Sequence, residues 1–105
     1  MPASMSARKA PAPLPSKTAT SKVSVCNKLG LHARPASLFV KTANRFQSEV
    51  FVEKDGEVIN GKSIMGLLML AAGPGSELTL RAEGADASQA VCELETLVLR
   101  KFDED

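Results

Sequence analysis

The order in which hydrophobic periodicities follow one another is the feature that most constrains this fold. From Lys22 onward, segments in which apolar and polar residues alternate are interleaved with segments whose apolar residues recur at helical spacing. The resulting order is β-α-β-β-α-β-α. Two strand-helix-strand segments flanking a hairpin place the helices together on one side of a sheet. We therefore expect an α+β fold, an open-faced β-sandwich in which three helices cover one face of a four-stranded antiparallel sheet.

The predicted strands are short and end at turn-forming residues. The first contains Val23 and Val25 and ends at Asn27-Lys28-Leu29-Gly30. Asp55-Gly56 is a strong signal for a two-residue hairpin turn, because both residues tolerate positive φ. The other predicted strands lie on either side of that turn and after the second helix, at Val50 to Val52, Glu57 to Ile59 and Leu78 to Ala82.

Three segments have the spacing of amphipathic helices. The first runs from about Ala33 to Phe46. The second begins at Ser63, a favoured N-cap residue, and stops before Gly73-Pro74-Gly75. The third begins at Ala87 and ends near Phe102.

The length and charge distribution indicate one small domain with a basic extension. A chain of 105 residues with 44% hydrophobic residues can bury a single modest core. Residues 1–20 are rich in Pro, Ala, Ser and Lys, so we expect a flexible tail there and a domain over residues 21–105. The tail contains three basic residues and no acid, whereas the remainder is slightly acidic. The chain also lacks Trp and Tyr, and this composition argues against nucleic-acid binding.

The cysteines and the apolar segments indicate a cytoplasmic protein. Cys26 and Cys92 lack the spacing of a redox or zinc motif, and we expect them to be reduced thiols, with a structural disulfide as the alternative. No apolar stretch approaches the roughly 18–20 residues of a membrane span, and residues 1–20 have no apolar signal core. We therefore expect no membrane insertion.

His32 is the only histidine, and it lies where the first strand gives way to the first helix. The first backbone N–H groups of a helix favour negative charge, and Arg34 adds a cation. Pro35 suits the first helical turn because its missing N–H is not needed there. Both positive potentials favour an unprotonated ring, so the pattern predicts a nucleophile that can receive and release a phosphoryl group.

Simpler interpretations of His32 remain open at this point. A lone histidine is more often a helix cap or a surface residue than a functional group. A metal site is not indicated, because no second histidine or paired thiols stand at ligand spacing. A serine hydrolase is poorly supported, because the chain has no Gly-x-Ser-x-Gly elbow.

The helix that begins at Ser63 is apolar on nearly every side. If Leu67 and Leu70 face the sheet, then Ile64, Met65 and Leu68 face water and form a surface suited to docking partners. The alternative is a fully buried core helix. Ser63 is either an ordinary N-cap or a phosphorylation switch, since a phosphate there would bring about −1.5 to −2 charges beside the apolar residues.

Two separate segments carry a resemblance to a known family. Leu31-His32-Ala33-Arg34-Pro35-Ala36, together with Asn60-Gly61-Lys62-Ser63-Ile64-Met65-Gly66 and the element order, resembles the HPr family of histidine phosphocarriers of the bacterial phosphotransferase system. The resemblance covers Ser21 to about Phe102. It implies that His32 accepts a phosphoryl group on Nδ1 from Enzyme I, which draws it from phosphoenolpyruvate, and donates it to an EIIA-type domain.

The resemblance also implies roles for two other residues. Arg34 matches the active-site arginine of the family, and Ser63 matches the serine phosphorylated by the ATP-dependent HPr kinase. Asn27-Lys28-Leu29-Gly30 and the acidic C-terminus look like the nitrogen-related branch, whereas the surroundings of Ser63 look like those of kinase-regulated members. The family implies a carrier protein, not an enzyme, with no cofactor, and we expect a monomer.

A purely regulatory module is the alternative. Such a module would act through phosphorylated Ser63 and would never carry phosphate on histidine. Related regulators of this kind lack the active-site histidine, whereas His32 is present here.

Overall fold

The computed structural model describes residues 17–103 and contains one four-stranded antiparallel sheet with three helices. The bounds of the elements are β1 Thr18–Ser24, α1 Ala33–Ala43, β2 Glu49–Lys54, β3 Glu57–Asn60, α2 Ile64–Met69, β4 Glu77–Glu83 and α3 Ala87–Leu99, followed by a 3₁₀ turn over Lys101–Asp103. The spatial order of the strands is β1-β4-β2-β3, and every neighbouring pair is antiparallel. This is the predicted open-faced sandwich.

The core lies between the helices and one face of the sheet. Alternate residues of each strand point into it, as the period of two requires. The opposite face is open to solvent, and there the Arg81 guanidinium lies 4.7 Å from the centre of the Phe51 ring. The largest fully buried apolar side chains are Val25, Pro35, Phe39, Val50, Val52, Leu67, Leu78, Leu80, Leu94, Val98 and Phe102.

The hairpin between β2 and β3 forms at the predicted position. Asp55 has φ 52° and Gly56 has φ 86°, the positive angles that a two-residue turn of this type needs. Lys54 pairs with Glu57 directly across the turn, and Phe51 pairs with Asn60 at the far end of the ladder. The turn therefore fixes the register in which β3 pairs with β2, and with it the place where the chain leaves β3 towards Ser63.

The first strand begins earlier than the sequence analysis predicted. Thr18 pairs with Glu83 and Thr20 with Arg81, so residues 18–20 of the predicted tail belong to the sheet. Threonine favours strands, and the edge of β4 offers an unpaired ladder that continues the alternation. The rest of the predicted tail, residues 1–16, lies outside the described residues, as do the last two residues of the acidic C-terminus.

All three helices are shorter than predicted. After Ala43 the chain tightens, because the Arg45 and Phe46 N–H groups bond to carbonyls three residues back. Phe46 still packs against the core, from outside the helix. In the third helix the break follows Leu99, where Lys101 to Asp103 adopt positive φ and turn Phe102 into the core. Apolar spacing reports which residues are buried, and it does not report where the backbone leaves the helix.

Candidate functional site

His32 lies at the start of α1 and is its N-cap residue, as predicted. Its backbone is extended, with φ −90° and ψ −168°, and its carbonyl accepts the first helical hydrogen bond from the Ala36 N–H at 2.9 Å. The residue is half-buried. This geometry places the histidine beside the backbone N–H groups of Ala33 and Arg34, which precede the first intrahelical bond.

The two residues predicted to support His32 differ in their surroundings. Arg34 lies in the first turn and is exposed, so its guanidinium is accessible to a group bound at the helix start. Pro35 is fully buried in the same turn, where its fixed φ helps to hold the entry of the helix. The helix start therefore combines oriented backbone dipoles with an exposed cation, and both favour a negatively charged group.

The loop before His32 is held by contacts that the sequence analysis did not identify. The Gly30 carbonyl accepts hydrogen bonds from Asn27 Nδ2 at 2.7 Å and from the His32 N–H at 3.0 Å. The Leu31 N–H donates to the Ala72 carbonyl at 2.8 Å. Gly30 has φ 71°, and a Cβ at this position would lie 2.5 Å from the Ala72 carbonyl oxygen. Only glycine fits this close approach.

Ser63 is the N-cap of α2, as predicted. Its Oγ accepts a hydrogen bond from the Gly66 N–H at 3.0 Å, which is the usual capping bond to the third helical residue. The residue is half-buried, so part of it is exposed to solvent.

The exposed side of α2 is an apolar surface, which we call the α2 patch: Ile64, Met65, Leu68 and Met69. Met65 and Met69 are each 68% exposed, whereas Leu67 is completely buried. The predicted division of this helix into buried and exposed residues is confirmed, and the alternative of a fully buried helix is wrong. Met69 was not among the residues predicted to be exposed, although its spacing from Met65 places it on the same side.

The structure brings the His32 loop and the α2 helix together, with Ser63 at the opposite end of α2. The contact is the Leu31 to Ala72 hydrogen bond, at the point where Ala71 takes φ 52° and ends the helical region. α2 stops at Met69 and not at the predicted Ala72 because the positive φ of Ala71 cannot continue a right-handed helix. The α2 patch therefore begins directly after Ser63, and the helix that carries it leads to Ala72, which contacts the loop before His32.

Residues 17–103 were also compared with what a metal site, a membrane span and a disulfide require. No group of three or more His, Cys, Asp or Glu side chains there is arranged to hold a metal ion. No helix in this part of the chain is both long and apolar enough to cross a membrane. Cys26 and Cys92 are both exposed and are not joined in a disulfide, which confirms the prediction of free thiols.

Comparison with known proteins decides the family. A family model described as the PTS HPr component phosphorylation site matches residues 19–99. The chain belongs to the HPr family. HPr proteins of the phosphotransferase system are phosphocarriers and not catalysts, so the interpretation of this chain as a carrier is confirmed at that level.

Relatives in the HPr family include both carriers and an HPr-like protein. The phosphocarrier protein HPr of Neisseria meningitidis serogroup B is 48% identical over 82 residues, covering 78% of this chain and 92% of the relative. The HPr-like protein Crh of Bacillus subtilis is 56% identical over 77 residues, covering 73% and 91%. The crystal structure of HPr-C-His from Thermoanaerobacter tengcongensis superposes with a TM-score of 0.80 at 45% identity, covering 83% of this chain and 98% of that one.

Proposed function

We propose that His32 is the phosphoryl carrier of this HPr-family chain. It accepts the group from phosphorylated Enzyme I, which obtains it from phosphoenolpyruvate, and it passes the group to EIIA-type proteins. The observation that carries this proposal is the position of the only histidine at the N-cap of α1, inside the region matched by the family's phosphorylation-site model. Phosphoenolpyruvate, the original source of the phosphoryl group, is a cytoplasmic metabolite, so we propose that the carrier acts in the cytoplasm.

The transfer needs a nucleophile, charge stabilisation and a bond that breaks readily. The Nδ1 lone pair of His32 attacks phosphorus, a P–N bond forms, and the bond from phosphorus to its carrier group on Enzyme I breaks. The backbone N–H groups at the start of α1 and the Arg34 guanidinium stabilise the negative phosphoryl oxygens. The phosphoimidazole is itself reactive, so the same step run onto an acceptor regenerates free His32.

We further propose that the α2 patch is where Enzyme I and the EIIA-type proteins dock, with Ile64, Met65 and Leu68 as the principal contacts. Exposed apolar side chains grouped on one helix are characteristic of interaction surfaces. The patch belongs to the helix that leads directly to Ala72, whose carbonyl accepts from the Leu31 N–H beside His32, so a partner seated on the patch is brought near the reacting group.

Phosphorylation of Ser63 by an ATP-dependent HPr kinase is the proposed regulation. The Ser63 oxygen attacks the γ-phosphorus of ATP and gives up its proton to a base of the kinase. The bond from that phosphorus to the β-phosphate oxygen breaks, and ADP departs. The product keeps an oxygen at the cap, where the Gly66 N–H and the helix dipole tolerate negative charge. The added charge beside Ile64 disfavours docking of a partner on the α2 patch.

A regulatory module that acts through phosphorylated Ser63 alone is the second candidate. The similarity to the HPr-like protein Crh favours it, whereas the presence of His32 at a helix start favours the carrier. Solved relatives include an HPr dimer and a Crh dimer. We propose that the present chain transfers phosphate as a monomer, and sedimentation of the phosphorylated and unphosphorylated chain tests this.

A relay assay tests the proposed function. The full chain is incubated with purified Enzyme I and radiolabelled phosphoenolpyruvate, and EIIA-type proteins are then added one at a time. We expect label that is stable in base and labile in acid, that moves to at least one EIIA-type protein, and that is absent from His32→Ala. Label that persists in His32→Ala excludes His32 as the carrier, and absence of label from the wild type excludes the carrier function.

A further inference from the structure

Asn27 is a buried polar residue five positions before His32. It is completely inaccessible to solvent, and its Nδ2 donates to the Gly30 carbonyl at 2.7 Å. The chain closes a tight turn over this bond, because the Gly30 N–H in turn approaches the Asn27 carbonyl at 3.3 Å. Burying an amide costs free energy unless its hydrogen bonds are made, so this side chain strongly favours the observed loop conformation.

The peptide unit that joins Gly30 to Leu31 is fixed at both ends. Its carbonyl accepts from Asn27 Nδ2 and from the His32 N–H, and its N–H donates to the Ala72 carbonyl. A planar peptide held at its oxygen and at its nitrogen cannot rotate without breaking these bonds. The next residue in the chain is His32, so the direction in which the imidazole leaves the backbone depends on this peptide.

We propose that Asn27 is a positioning residue for phosphoryl transfer at His32. It acts through the Gly30–Leu31 peptide, which it holds in the orientation that presents Nδ1 to the partner's phosphoryl group. This inference rests on the proposed function of His32. A group that must meet phosphorus in line loses rate steeply when its orientation is relaxed. No residue of the α2 patch takes part in the hydrogen bonds that hold the Gly30–Leu31 peptide, so loss of the Asn27 bond leaves the patch side chains in place.

The test compares kcat, which depends on the orientation of His32, with KM, which depends on docking of Enzyme I. Asn27→Asp keeps the shape of the side chain but replaces the donating amide with a carboxylate, and Asn27→Ala removes the polar group. We expect the kcat of Enzyme I towards either variant to fall about tenfold or more, while the KM for the carrier stays within about twofold of the wild type.

Val91→Ala is the matched control for general loss of packing. Val91 is buried in α3, so its truncation leaves a cavity, and it takes no part in the hydrogen bonds that hold the Gly30–Leu31 peptide. We expect this variant to lose stability and to keep the kcat of the wild type. If Asn27→Asp behaves like Val91→Ala, Asn27 is only a packing residue and the inference is wrong.

Two further outcomes are distinguishable. If the wild type takes no label from Enzyme I, the proposed function fails and the inference fails with it. If the wild type is labelled but the Asn27 variants keep full kcat, only the inference fails. Should neither variant fold, hydrogen exchange in the wild type decides: the Leu31 and His32 N–H groups should exchange only through global unfolding, and rapid exchange would overturn the proposal.

Discussion

Arg34 is the charged side chain nearest in sequence to His32 on α1, and it is exposed. We expect Arg34→Ala to keep its fold and to slow phosphoryl transfer by about tenfold or more, because a cation near the phosphoryl group stabilises charge in the transition state. Stopped-flow rates with Enzyme I measure this. Arg45→Ala, which removes an exposed arginine beyond the other end of α1, is the control and should transfer normally. Equal rates for both variants would show that the backbone N–H groups alone are enough to stabilise the phosphoryl oxygens.

Asp86 links stability to pH. Its carboxylate accepts hydrogen bonds from Ser48 Oγ and from the Gln47 N–H, and these bonds hold the pKa of Asp86 below its usual value of 3.8. A lowered folded-state pKa means that the unfolded chain binds the proton more tightly in acid. The stabilisation is therefore complete above about pH 4 and is lost as the pH falls through the folded-state value.

Asp86→Asn tests this linkage. We expect the variant to be less stable than the wild type at pH 7, with the difference shrinking at acid pH as Asp86 of the wild type becomes protonated. Urea unfolding between about pH 2 and pH 7 measures the difference. Glu57→Gln changes an exposed carboxylate in β3 and serves as the control. A difference independent of pH would mean that the Asp86 charge makes no net contribution.

Among the elements, α2 has one exposed side that we propose binds partners and one buried side that stabilises the fold. We expect Met65→Glu or Leu68→Glu to raise the KM of Enzyme I for the carrier about tenfold while changing the free energy of unfolding by less than about 0.5 kcal/mol. Leu67→Ala, on the buried side, should instead cost about 2–5 kcal/mol. Val58→Glu places the same charge on an exposed apolar residue of the open sheet face and should leave the KM unchanged. Reduced stability with unchanged KM in Met65→Glu would contradict the docking proposal.

The N-terminus of α2 provides a second prediction. Ser63→Asp keeps an oxygen at the cap, so we expect the fold to remain and stability to change by only ~0.3–1 kcal/mol. The added charge beside the α2 patch should slow phosphorylation of His32 by Enzyme I. Ser88→Asp adds an acid near the start of α3 and should transfer normally. If Ser63→Asp, Ser63→Ala and the wild type have the same rate, Ser63 is only a cap.

At the scale of the whole molecule, local patterns were sufficient to predict the element order, the hairpin and the exposed side of α2. The period-two alternation of Val50 and Val52 and the Asp55-Gly56 turn are local signals, and the structure places both as predicted. His32 and Ser63 were likewise predicted as caps from their immediate neighbours.

The remaining features depend on contacts between distant parts of the chain. Thr18 to Thr20 form a strand because β4 lies beside them, and the segment after α2 is tied to the loop before His32 by the bond from the Leu31 N–H to the Ala72 carbonyl. Asn27 looked like an ordinary turn residue, because nothing in the local sequence shows that its amide is buried against the Gly30 carbonyl. These features arise on folding and leave no periodic signal.

The most direct test of the central claim is to locate the phosphoryl group on the intact chain. The ¹⁵N-labelled protein is phosphorylated with Enzyme I and phosphoenolpyruvate and examined by ³¹P and imidazole ¹H–¹⁵N NMR. We predict one phosphoryl group, bonded to Nδ1 of His32, that is lost on acidification and never forms in His32→Ala. A phosphoryl group on any other residue, or an unchanged imidazole spectrum in the presence of active Enzyme I, would contradict the account.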